Sequence, residues 1–371
     1  MEILIKQEVL KGALQNLIPV IDKSSAKPIL SNFLMRTIPD QNMVEFLATD
    51  HELSLIERFP AEVRAEGSMC VNARKMYDIS KEFVEEEVRI QSTEQLWIHV
   101  SCGKSQLRLP SVDVGLYPQT LVEDLSGKVR ISTDDLKRAI DMTLFAAQTN
   151  ESRRNLMGVN LSAKSGATRW LATDGHRLAQ ILISVDSLEM GDVEDVIIPR
   201  KALGEVRRSL ELFGERVDVS FDERVMQFSG ENIVYKTRLI EGKFPNCDPI
   251  IPKDNALICS LDRERLMNSL RIVSSISAEK LRPVKLTLSS GKMLLESEKT
   301  DYGEVSDELQ VEYAAEDFQI GFNSRYLMDV LSVMEEENVK LEFKNPMSPT
   351  VIRDVEKDDF LSVIMPLRIE W

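Results

Sequence analysis

Cysteine and histidine are scarce: four cysteines (Cys70, Cys102, Cys247, Cys259) and three histidines (His51, His99, His176) in 371 residues. No two cysteines form a Cys-x-x-Cys pair and none stands at ligand spacing from a histidine, which argues against the common zinc and dithiol motifs. Isolated thiols of this kind are expected to be reduced and structural. No apolar run approaches the roughly 20 residues that a membrane-spanning helix needs. Residues 1–11 alternate apolar and polar and lack the apolar core of a signal peptide, so a cytoplasmic protein with no membrane partner is expected. There is no glycine-rich phosphate loop, which speaks against nucleotide binding. Positive charge is in deficit, with 46 Lys and Arg against 61 Asp and Glu and a formal net charge of −15. Taken whole, that argues against a nucleic-acid partner, whose binders usually carry a basic footprint. Net charge describes the far field, however, and one face can differ from the sum.

What is present is a threefold internal repeat. Hydrophobic residues at 43% and charged residues at 29% make an ordinary soluble balance, and the length suits two or three domains. Residues 3–18, 129–144 and 258–273 each read as a short strand, a polar turn and an amphipathic helix. Leu10, Ala13, Leu14, Leu17 and Ile18 fall at helical spacing in the first. Leu136, Ala139, Ile140 and Leu144 do so in the second, with Thr143 in the stripe. Leu266, Leu270 and Val273 do so in the third, with Ser269 in the stripe. One face of each helix therefore packs on something. A second helix recurs, opening at Arg74-Lys75-Met76, at Arg200-Lys201-Ala202-Leu203 and at Ser324-Arg325-Tyr326-Leu327. These openings lie about 125 residues apart, a typical domain size. Leu47-Ala48-Thr49-Asp50-His51 recurs as Leu171-Ala172-Thr173-Asp174-Gly175-His176, with a more degenerate copy around Thr300-Asp301-Tyr302-Gly303. Tyr117-Pro118 and Phe244-Pro245 end the first two units alike. The fold class is α+β with antiparallel sheet and two helices per repeat. The expected domains are 1–126, 127–253 and 254–371.

The charge is segregated. Lys137, Arg138, Arg153 and Arg154, then Arg200, Lys201, Arg207 and Arg208, then Arg263, Arg265, Arg271, Lys280 and Arg282 collect in and beside the helices. Residues 294–317 hold nine carboxylates and one lysine. Two readings stand: a solvated surface that happens to segregate, or a shared helical face that meets phosphate without sequence preference. Asp174-Gly175 is by itself an ordinary hairpin turn, and the ending Val363-Ile364-Met365-Pro366 an ordinary last strand. A hydrolase using Asp174 and His176 is a competing reading. Against it, no serine or cysteine is tied to that histidine by motif, and Asp174 repeats at Asp50. A protein-interaction scaffold without DNA is another.

The run 172–179 (Ala-Thr-Asp-Gly-His-Arg-Leu-Ala), Pro199-Arg200-Lys201, Gly242-Lys243-Phe244-Pro245, Lys27-Pro28-Ile29-Leu30 and the ending Val363–Arg368 resemble the bacterial DNA polymerase III beta subunit family, the sliding clamps. The resemblance runs the length of the chain with the repeats in register. It implies three tandem clamp domains, with sheets outside and helices inside, in a head-to-tail homodimeric ring around duplex DNA. It implies a processivity factor with no active site and no cofactor. The implied partners are the replicative polymerase, an ATP-dependent clamp loader, and other polymerases and repair proteins that dock short linear motifs. The implied docking pocket is Leu156, Thr173, Gly175, His176, Arg177, Leu178, Pro245, Ile250, Val363, Ile364, Met365, Pro366, Leu367 and Arg368. The implied DNA contacts are Lys23, Arg74, Arg153, Arg154, Arg200 and Lys201. The implied dimer contact sets Lys75, Lys104, Leu107 and Leu109 against Ser275, Ile276, Glu304, Asp307 and Glu308. The chain departs from the pattern at four places. Arg154-Asn155 stands where a well-known member has an aromatic pair, which favours phosphate contact over base stacking. Ser24 replaces an arginine, Pro249 replaces a basic pocket residue, and Ile369-Glu370-Trp371 extends past the usual end.

Overall fold

The computed structural model describes residues 1–21, 27–38, 40–93, 96–118, 124–164, 166–189, 194–277 and 282–368. Among the described residues there are six α-helices: α1 (Gln7–Leu17), α2 (Ala73–Ser80), α3 (Thr133–Leu144), α4 (Arg200–Arg208), α5 (Arg263–Ser274) and α6 (Ser324–Val333). Each of the six helix signals read from the sequence has its helix, and the stripe residues Leu10, Leu14, Leu17, Leu136, Ile140, Leu266 and Leu270 are all buried. The starts are set locally. Asn72, Asp262 and Asn323 end the preceding strands, and their side chains accept from the amides of Lys75, Arg265 and Arg325. Such caps satisfy orphan first-turn donors. At α3, Ser132 Oγ accepts from the amide of Asp135 and donates to its carboxylate. The polar members of the apolar stripes are satisfied too: Thr143 Oγ1 donates to the Ala139 carbonyl and Ser269 Oγ to Asp307. No described helix is long and apolar enough to cross a membrane. The four cysteines are free and buried.

The chain divides into two compact units. The first comprises Met1–Leu136, Val185–Val193 and Lys201–Leu239; the second comprises Lys137–Ser184, Glu194–Arg200 and Ile240–Trp371. The middle repeat is thus shared between them. The first unit holds a 14-stranded antiparallel sheet in which Leu53–Pro60 of the first repeat pairs with Ile233–Arg238 of the second. The second unit holds an eight-stranded sheet, in which Arg177–Ile183 pairs with Phe360–Ile364 of the third repeat, and a four-stranded sheet. Each seam between repeats carries an apolar row. In the first unit Cys70, Leu34, Leu47, Ile56 and Val234 stand opposite one another across five strands. Tyr117 closes over them, its hydroxyl donating to the Asn32 carbonyl. In the second unit Leu178, Val363 and Val351 do the same, covered by Phe244, Cys247 and Ile251. The paired Tyr117-Pro118 and Phe244-Pro245 signals are therefore the segments that seal each seam.

Candidate functional site

The Thr-Asp motif is a turn built three times. Thr173 Oγ1 donates to the Arg177 carbonyl and accepts from the Gly175 amide. Thr49 Oγ1 does the same with the Leu53 carbonyl and the His51 amide, and Thr300 Oγ1 with the Gly303 carbonyl and the Tyr302 amide. The third copy keeps the device although its sequence has drifted. In the second copy Asp174 accepts from the amides of His176 and Arg177 and from Arg177 Nε. Its carboxylate is committed to the turn and its side chain is only 12% exposed. The left-handed position is filled by His51 at φ +76° in the first copy and Gly175 at φ +91° in the second, and falls one residue later, on Gly303 at φ +117°, in the third.

The residues of the expected pocket all belong to the second unit. Leu156, Leu178, Val363 and Ile364 are buried, and Leu178 stands opposite Val363 and Arg177 opposite Ile364 across neighbouring strands. Met365 and Ile250 are exposed large apolar side chains, and Pro245 is exposed too. The chain past the last strand is fixed by two backbone bonds: the Met365 amide to the His176 carbonyl and the Leu367 amide to the Gly321 carbonyl. Pro366 and Leu367 are half-buried and Arg368 is exposed. Arg177 is the centre of the arrangement. Its guanidinium bonds Asp174, Asp329 of α6 (2.5 Å) and the Phe145 carbonyl (2.7 Å), and lies 4.6 Å over the Tyr326 ring. His176 stacks on the same Tyr326, with centroids 6.5 Å apart. An adaptable apolar shelf with a few fixed polar groups is suited to holding an extended peptide. Sequence reasoning named neither Asp329 nor Tyr326 as site residues. The available signal was a tyrosine in the first turn of a recurring helix.

The cations assigned to DNA separate into two groups. Arg74, Arg153 and Arg154 are exposed. Arg200 is turned inward: Nη1 donates to the Leu144 and Ala147 carbonyls just at and past the end of α3, and burial, then Arg177, lowers its pKa. Lys201 is bonded to Asp50. Lys23 lies outside the described residues. Other helix-borne cations are also engaged: Arg138 by both oxygens of Asp359, Arg265 by both oxygens of Asp307, and Arg263 by the Glu336 and Leu331 carbonyls.

Of the residues assigned to the dimer contact, four lie on strands with an open side: Leu107, Leu109, Asp307 and Glu308. Leu107 and Leu109, half-buried, lie on Ser105–Val112. That strand pairs fully with Trp97–Cys102, and on its other side only at Ser111 and Val112. Lys104 and, on α2, Lys75 are exposed. In the second unit Asp307 and Glu308 lie on Ser306–Gln310, the edge of the four-stranded sheet. Asp307 is held by Arg265 and Ser269, which lower its pKa, and Glu308 is paired with Lys292. Glu304 is exposed. Ser275 and Ile276 line an open depression of about 440 Å³ with Ser277, Tyr302 and Val305.

Residues 1–121, 130–246 and 248–368 match the family models for the N-terminal, central and C-terminal domains of the DNA polymerase III beta subunit. The beta sliding clamp of Caulobacter vibrioides is 33% identical over 375 residues, with both chains covered in full. The chain belongs to the DNA polymerase III beta subunit family. It is a sliding clamp of three tandem clamp domains, a non-catalytic processivity factor. The Pseudomonas aeruginosa clamp is 30% identical over 373 residues, again across both whole chains. Solved relatives agree in fold. A Pseudomonas aeruginosa clamp bound to griselimycin has a TM-score of 0.93 at 29% identity, covering all of both chains. A Caulobacter crescentus clamp with polyethylene glycol bound has 0.92 at 31%, covering 100% of this chain and 99% of that one. For a clamp, Asp174 and His176 need no catalytic role, and their turn-forming geometry accounts for them.

Proposed function

We propose that this clamp pairs head to tail with a second copy to form a ring around duplex DNA, and that it tethers polymerases through the pocket at Arg177. The domains are 1–126, 127–253 and 254–371. The observation that carries the ring is that two strands, residues 105–110 and Ser306–Gln310, each pair on one side only among the described residues and bear or adjoin apolar side chains. Open edges of this kind are a liability in a monomer, and heterologous contacts that close make rings. Lys75 and Lys104 face Glu304 and Glu308 across that junction, while Leu107 and Leu109 pack on Ser275 and Ile276. Arg74, Arg153, Arg154, Lys201 and Lys23 supply sequence-independent phosphate contact, and Arg200 supports them by bonding the carbonyls at the end of α3. The clamp works in the cytoplasm. Its partners are the replicative polymerase's catalytic subunit, an ATP-driven loader, and repair proteins with short docking motifs.

The pocket is tested by fluorescence titration with a Gln-Leu-x-Leu-Phe peptide. The intact clamp is compared with a chain ending at Ile364, which leaves the strand Phe360–Ile364 whole. Binding near micromolar, about −8 kcal/mol, that is lost on truncation is expected. A folded intact clamp that ignores the peptide refutes the pocket.

A further inference from the structure

We infer that the mouth of this pocket is a cationic collar that selects partner segments whose apolar anchors are flanked by acidic side chains. The inference rests on the peptide-pocket reading and adds the chemistry of the partner to it. Three cations carried by segments that adjoin the pocket residues are exposed: Arg153, Lys243 and Arg368. Arg153 interrupts the 3-10 segment Glu151–Leu156 with extended backbone angles, φ −138° and ψ 86°. Its Nη1 lies 3.3 Å from where a Cβ on Gly175 would be. The guanidinium therefore covers the Gly175-His176 turn rather than leaving the pocket. Lys243 is brought in by its backbone, whose carbonyl accepts from Asn155 Nδ2 at 3.0 Å, two residues before Pro245. Arg368 follows Leu367, which is anchored to Gly321.

None of the three has an acidic partner among the described residues, whereas Arg130, Arg138, Arg169, Arg216 and Arg265 each hold an aspartate. The acids of the site are already committed, Asp174 to its turn and to Arg177, and Asp329 to Arg177. In a chain of net charge −15, three cations with no acidic partner among the described residues complement an acidic ligand. Each exposed pair is individually weak. Together they steer encounter, fix the direction of the bound segment and reject like-charged competitors.

The experiment uses the intact clamp and three peptides sharing one apolar core: one with two aspartates before it, one with two after it, and one with asparagines at both ends. Affinities are read at about 50 mM and about 500 mM salt, where screening separates exposed charge from burial. The expected result is that one aspartate-flanked peptide binds about three- to ten-fold tighter than the asparagine peptide at low salt. That gain disappears at high salt, and in an Arg153→Gln, Lys243→Gln, Arg368→Gln variant the ratio of the two peptides' affinities falls to about one. Equal affinity of all three peptides, or a gain that survives in the triple variant, overturns the collar and leaves the pocket intact. Failure of the asparagine peptide to bind at all removes the pocket and the collar with it.

Discussion

Glu57 is 1% exposed in the middle of Leu53–Pro60. Asn16 of α1 donates to its Oε1 at 2.8 Å, and Oε2 has no partner. Burial pushes its pKa from 4.5 up to about 8, and the Asn16 bond only partly opposes this. The folded clamp thus keeps this proton at neutral pH where the unfolded chain has lost it. Below the unfolded pKa there is no penalty. As pH rises from 4.5 towards 8, stability falls by about 1.4 kcal/mol per pH unit for this group, before other titrations are added. Glu57→Gln keeps a neutral side chain of the same shape and can accept the same bond. Urea midpoints of the two proteins should nearly coincide near pH 4.5 and separate steadily to pH 8, with the variant the more stable. Midpoints that stay parallel would mean that Glu57 ionises freely in the fold. Local chemistry of this scale was partly legible in the sequence. Thr173 and Asp174 read as a turn because their partners lie within four residues. The destination of Arg177 was not legible, because Asp329 is 152 residues away and nothing in either residue's neighbourhood encodes that approach.

At the scale of elements, the six helices could be read because an apolar stripe and a recurring helix opening are short-range signals. Strand alternation identified strands but not their neighbours. Leu53–Pro60 could have paired within its own repeat at both edges; only the folded chain shows it spending one edge on Ile233–Arg238. Burial sets that choice, since the register puts Ile56 opposite Val234 and extends one apolar row across the seam. Tyr117 holds the row closed. It is 2% exposed, and burial raises the pKa of its phenol, so the hydroxyl remains a donor to the Asn32 carbonyl. Tyr117→Phe removes that bond and should cost about 1 kcal/mol. Tyr117→Ala also empties the ring's volume and should cost about 3–5 kcal/mol. Chemical denaturation that showed both substitutions to be neutral would mean that the segment is a passive connection rather than the seal of the seam.

At the scale of the whole molecule, three sequence repeats resolve into two compact units because the middle repeat gives strands to both large sheets. Sequence periodicity reports how the chain was built up, and sheet pairing reports what is buried together; the two need not share boundaries. The candidate sites divide along the same lines. Every described residue of the pocket lies in the second unit, whereas the two strand edges proposed to meet in the dimer lie one in each unit. Peptide binding and ring closure should therefore be separable. Leu107→Asp with Ile276→Asp places a carboxylate on each half of the proposed junction without touching Arg177, Asp174 or Met365. Sedimentation should find this variant monomeric at concentrations where the parent is a dimer. It should bind the docking peptide with unchanged affinity yet fail to remain on circular DNA after loading, because retention by topology needs closure and not contact. A variant that stayed dimeric would remove these edges from the interface. A monomer retained on circular DNA like the parent would mean that ionic contact, not encirclement, holds the clamp, and that retention should then fall steeply with salt.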